Sequence, residues 1–167
     1  MSKVQRAARC SALIIFLCVI LAGCSRPEIE TCSIYLGKDV LLDEYGFPSI
    51  VNGSHTVFEY YHEVPEPPCT FDAGMKEILV FQIAPEVSEF TVADADLFGS
   101  VATYRYEAFS PYNGAHPVSS GTIAGTHVYG RAWDVAIDVL IRLKALDGDL
   151  STETRELHLR REFQVRH

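Results

Sequence analysis

Apolar and polar residues alternate with period two through residues 132–146. Trp133, Val135, Ile137, Val139, Ile141 and Leu143 hold the odd positions; Asp134, Ala136, Asp138, Leu140, Arg142 and Lys144 hold the even ones. Successive side chains of a strand point to opposite faces, so this pattern sets one whole series on the core side of a sheet. A helix would instead gather Asp134, Asp138 and Arg142 on one stripe, with no comparably apolar face opposite. Residues 154–165 repeat the alternation, with Leu157, Leu159, Phe163 and Val165 set against Glu156, His158, Arg160, Glu162 and Gln164. Arg161 interrupts the apolar series and is expected at the sheet rim or in an ion pair.

The two runs meet across Asp147-Gly148-Asp149, which predicts a hairpin. Paired residues of antiparallel strands share a face, so odd positions must meet odd positions. A two-residue Asp147-Gly148 turn would oppose every apolar residue to a polar one. The loop must therefore hold an odd number of residues, such as 147–149 or 147–151, or the ladder must contain a bulge.

Further short β-rich runs, parted by Gly, Pro, Asn and Asp, cover 31–36, 48–52, 56–62, 77–83, 88–92, 101–108 and 120–129. Together with 132–146 and 154–165 they predict an all-β chain, an antiparallel β-sandwich or barrel-like domain. The stretch 63–69, Glu-Val-Pro-Glu-Pro-Pro-Cys, predicts an extended polyproline-like loop. There is no internal repeat and no low-complexity segment.

The first residues read differently. Lys3, Arg6 and Arg9 precede the apolar run Ala12–Leu21, and no acid occurs before Cys24. That order is the mark of a secretory signal, and the run is far below the roughly 20 residues of a permanent membrane helix. Leu21-Ala22-Gly23-Cys24 resembles the lipobox of bacterial lipoproteins, an aliphatic residue, two small residues and a cysteine. The resemblance covers residues 1–24 alone. It implies removal of a signal peptide, residues 1–23, and lipidation of Cys24 with fatty acids such as palmitate. It further implies residues 24–30 as a lipidated tether, and 31–167 as a single extracytoplasmic domain. Each buried methylene contributes about 0.8 kcal/mol, so two or more chains anchor stably. Ser25 after the cysteine favours the outer membrane under the family's sorting rule; the location expected is the cell membrane or outer membrane, facing away from the cytoplasm.

The cysteines fit that address. Cys10 and Cys18 would leave with the signal and Cys24 would be acylated, which leaves Cys32 and Cys69. In an oxidising compartment the remaining pair is expected to bridge, contributing about 3–4 kcal/mol on the chain-entropy argument. Residues 24–167 keep all 22 acids and 11 of the 14 bases. Residues 28–96 hold only Lys38 and Lys76 as bases, so the acidity lies in the first half. That balance argues against nucleic-acid binding, and against electrostatic adhesion to anionic lipid.

No constellation of reacting groups emerges. There is no G-x-S-x-G turn, and the histidines at 55, 62, 116, 127, 158 and 167 show neither H-E-x-x-H nor H-x-H spacing. Residues 147–153 alternate oxygen ligands but place Thr152 and His158 where a calcium loop needs Gly and Glu. No metal, no cofactor and no catalytic residue are expected. The more suggestive group is aromatic: Tyr104, Tyr106 and Tyr112 with His116, a possible binding surface. Phe58, Tyr60 and His62 form a second stripe. The expectation is a non-enzymatic binding or scaffolding module of the cell envelope, its partner an envelope protein or glycan. A hydrolase without a recognisable motif, or a structural assembly lipoprotein, is the alternative.

Overall fold

The computed structural model describes residues 26–66, 74–108, 110–144 and 150–166. Among them, eight strands and one short helix follow in the order β1 (Ile29–Leu42), β2 (Pro48–Val64), β3 (Met75–Ile83), β4 (Glu89–Ala93), α1 (Ala95–Gly99), β5 (Thr103–Ala108), β6 (Gly114–Tyr129), β7 (Ala132–Lys144) and β8 (Leu150–Val165). The described residues are nearly all β, as the alternation predicts. One sheet runs β4-β6-β5-β3-β2-β1-β8-β7, and an additional β6–β7 pairing joins its ends. The pairings thus form a barrel-like ring, with β4 branching from β6. Every ladder is antiparallel except β1–β8, which is parallel.

The β7–β8 hairpin obeys the parity argument. Trp133 pairs with Phe163, Ile137 with Leu159 and Val139 with Leu157, and a bulge lies between Arg142 and Lys144. Val135 opposes Arg161 in this register, and Arg161 Nε donates to Glu30 Oε1 at 2.8 Å. The first strand starts slightly earlier than residue 31, where the apolar pattern sets it, because Ile29 and Glu30 already pair with Glu63 and His62.

The inward positions make a solid core. Phe58 stacks on Phe81, with ring centroids 5.0 Å apart, and Trp133 and Phe163 meet its edges at 5.7 Å. Ile34, Leu79, Tyr104, Ile123, Ile137 and Ile141 complete a continuous packed interior. α1 contributes Leu97 to it and leaves Phe98 85% exposed.

A second, smaller core lies outside the ring. Beyond Gly37 the β1–β2 ladder slips, so that Lys38 opposes both Asn52 and His55. Asp39 ties this bulge: its Oδ1 accepts the backbone N–H groups of Ser54 and His55, and it lies 2.7 Å from His55 Nδ1. The carboxylate occupies the space of a side chain at Gly53, where a Cβ would fall 2.0 Å from Asp39 Cγ. The remainder of the hairpin lies back over the wall as an arm. Val40 packs on Val57 and Val80 with Ile50 and Ile78 alongside, and Phe47 lies 5.0 Å beneath the Arg105 guanidinium.

Candidate functional site

The parallel β1–β8 ladder consists of two pairs, Ser33↔Gln164 and Ile34↔Val165. Below them the barrel wall is split. Continuing that register downward makes Glu30 the counterpart of Arg161, which is the ion pair observed. Side chains rather than main-chain bonds therefore close this half of the wall. Cys32 and Tyr60 lie beside the Glu30–Arg161 pair on this seam, and Leu157 and Leu159 share the face of Arg161 on β8, toward the end of the barrel where β1 begins.

One buried carboxylate organises that end. Glu77 is 2% exposed because it has the inward parity of Leu79 and Phe81 on β3. Its Oε1 accepts Tyr104 Oη at 2.5 Å and Arg155 Nε at 2.8 Å. Its Oε2 lies 3.2 Å from His62 Nδ1, and His62 Nε2 lies 3.7 Å from Glu28. Burial pushes the Glu77 carboxyl upward, but the Tyr104 and His62 hydrogen bonds and the Arg155 charge outweigh it and hold it below its ordinary range. The Tyr104 hydroxyl is pushed far up by burial and by the Glu77 carboxylate, so it stays a donor. An ionised acid whose oxygens are all engaged is a structural hub rather than a proton-transfer group.

The four residues read from the sequence as a binding surface lie together around this hub. Tyr104 is fully buried and stacks with Tyr106 at 6.4 Å. Tyr106 and Tyr112 are half-buried against the core. His116 is buried, pairs with Tyr104 across the β5–β6 ladder, and staples two neighbours. Its Nδ1 accepts the Lys144 N–H at 3.0 Å, so Nε2 carries the proton and donates to the Tyr112 carbonyl at 2.8 Å. Of the second stripe, Phe58 and Tyr60 belong to the packed interior, and His62 reaches Glu77.

Burial holds the His116 imidazole below its ordinary value of 6.5. A base whose folded value is depressed contributes its full stability above 6.5 and loses it as pH falls below. The urea midpoint is expected to drop between pH 7.5 and pH 5.5, and His116→Gln should flatten that slope. An unchanged slope in the variant would refute the assignment.

Cys32 is a half-buried free thiol, pushed up to about 11 by burial and then by Glu30. Its expected partner Cys69 lies outside the described residues, as does Cys24. Among the described residues no group of three or more His, Cys, Asp or Glu could hold a metal, and no helix is long and apolar enough to cross a membrane. A separate trough of about 410 Å³ crosses the outer wall over Ala124 and Ala136, flanked by Glu89, Thr91, Thr126, Asp134 and Arg160. The Arg160 Nε lies 3.0 Å from Asp134 and closes one side.

Comparison with known proteins returns no matching family model, no matching curated protein and no matching solved structure.

Two signals for the hub are present in the sequence. Glu77 shares the parity of the core residues of β3, which marks an acid facing inward, and a buried acid requires partners. Tyr104 carries the same parity argument on β5. His62 faces Glu77 directly across the β2–β3 ladder, whereas Arg155 could not be paired with them locally, because only the closure of the ring brings β8 to the same place.

Proposed function

We propose that this chain is a lipid-anchored module of the bacterial cell envelope that binds or scaffolds a partner and catalyses no reaction. The observation that carries it is the short distance between the lipobox cysteine and the barrel. From Cys24 to the first residue of β1, Ile29, five residues span at most about 17 Å. Acyl chains on Cys24 would hold the split end of the barrel beside the bilayer, with the rest of the wall projecting away. Support for binding over catalysis comes from the hub, whose carboxylate is saturated by donors, and from the seam, whose closure by side chains leaves strand edges to offer. In an oxidising compartment the reading also includes a Cys32–Cys69 bridge.

Cys24→Ala tests the anchor. The variant is expected to lose incorporation of labelled palmitate and to leave the membrane fraction, or to accumulate unprocessed. Wild-type labelling and fractionation in the variant would overturn the proposal.

A further inference from the structure

The edge of β8 that faces the seam has a definite chemistry. Val165 N–H donates to Arg131 on the β7 side, and Arg166 N–H donates to Ile34 on the β1 side. Main-chain groups alternate sides along a strand, and no register shift interrupts the β7–β8 ladder from Thr154 to Gln164. The odd residues of β8 therefore bond to β7, while the even ones face the seam. Gln164 is matched by β1. Among the described residues Glu156, His158, Arg160 and Glu162 lie outside the β1–β8 ladder, and the Arg160 carbonyl accepts the Arg161 side chain at 3.0 Å.

The floor and flanks of the same stretch define what would fit. Leu157 and Leu159 face the barrel interior between two arginines. Arg155 gives Nε and one Nη to Glu77, and its side chain is 44% exposed. Arg161 gives Nε to Glu30 and Nη1 to the main-chain carbonyl of Arg160, which an incoming strand would have to displace. Each guanidinium has five N–H donors, so both retain some for an incoming anion. The opposite side of the seam is the start of β1, linked to β8 there by long side chains rather than by strand-to-strand bonds. Such a slot suits one added strand better than a second barrel.

We propose that the seam edge of β8 is a β-augmentation site for an extended partner peptide, with two alternate apolar residues facing inward between flanking carboxylates. The inference rests on the binding reading above and names its partner class. The peptide main chain pairs antiparallel with Glu156, His158, Arg160 and Glu162. Its apolar residues cover Leu157 and Leu159, and its acids meet Arg155 and Arg161.

The test uses the purified full chain in detergent micelles and a fluorescein-labelled peptide, acetyl-Glu-Thr-Val-Thr-Val-Thr-Glu-amide. Saturable binding is expected by anisotropy, with amide exchange at the four even positions slowed tenfold or more and the odd positions unchanged. His158→Pro removes one seam donor without touching the β7 ladder and should weaken binding at least tenfold. Should that variant unfold, the same peptide N-methylated on alternate residues supplies the check, with a similar loss expected. Absence of saturable binding, equal slowing at odd and even positions, or undiminished binding of the methylated peptide would overturn the proposal. So would sedimentation showing that two copies of the chain pair and exclude the peptide. Because the assay is done in micelles, its failure leaves the Cys24 result standing, and the reverse also holds.

Discussion

Glu77→Leu is expected to destabilise the domain by about 3 kcal/mol, a fall of roughly 6–12 °C in Tm for a domain of this size. Three groups lose their acceptor together. The Tyr104 hydroxyl is wholly enclosed, and an orphaned buried donor costs about 1–3 kcal/mol. Arg155 loses its counter-charge but keeps access to water, which softens its share. His62 loses the contact that orients its ring. The pairwise origin can be isolated: Tyr104→Phe should be harmful in the wild-type chain, yet close to neutral or favourable once Glu77 is leucine. If Tyr104→Phe costs the same in both backgrounds, the hub does not act as a unit.

The pH dependence of the same comparison has a fixed sign. The Glu77 carboxyl is held below its ordinary value of 4.5, so its contribution is complete above that value and disappears as pH falls through the folded one. The gap between wild type and Glu77→Leu should be widest near neutrality and narrow below pH 4.5. A gap that widens in acid would contradict the ionised hub.

The strands were legible because their faces are chemically unequal. In β7 the odd positions are apolar throughout, as they are in β8 from Leu157 to Val165 apart from Arg161, and the pairing of Trp133 with Phe163 and Ile137 with Leu159 follows from parity alone. The arm is a different case. Its apolar residues Val40, Leu41 and Leu42 are consecutive, and only Val40 is buried; a strand covering an outer wall needs one apolar face over a short length, which leaves no long period to read. α1 has five residues, less than two turns, so no helical stripe can develop. It is bracketed by residues at positive φ, Asp94 (44°) and Val101 (52°), and for a β-branched residue such as Val101 this conformation is strained. Local sequence carries no mark of that strain.

Tyr104 and His116 show where chemical character and position part. Both types suit binding surfaces, and both occur near a Pro-Tyr-Asn-Gly turn. Parity sets Tyr104 with buried Ala102, facing inward, and the β3–β5 ladder then places Glu77 diagonally beside it as its partner. His116 is buried because both ring nitrogens find main-chain partners on separate segments, one of them on β7. The nearness of β7 to the start of β6 is a consequence of topology, not of the residues around 116.

The β6–β7 pairing closes the ring, and Gly121→Ala is expected to break it. Gly121 has φ +116, and a Cβ there would fall 2.2 Å from the Asp138 carbonyl oxygen and 2.7 Å from Val139 Cα. Both are main-chain atoms of β7, so relief requires moving the strand. The residue is held from the other side as well: Asp94 N–H donates to the Gly121 carbonyl at 2.9 Å, and Gly121 N–H donates to Asp94 Oδ1 at 3.1 Å. Backing away from β7 would sever this link to the strained entry of α1. The expected cost exceeds about 4 kcal/mol, a large part of the stability of an ordinary domain. Gly130 separates clash from backbone preference, since it also has positive φ (+55) but nothing within 4 Å of a Cβ. Gly130→Ala should cost only about 1–2 kcal/mol, the penalty of a left-handed alanine. Urea unfolding of the two variants decides the matter: equal losses would mean that contact with Asp138 and Val139 is not what demands glycine at position 121. A soluble Gly121→Ala chain should show fast amide exchange along Ser120–Thr122 and Asp138–Leu140, while the β1–β2 ladder stays protected.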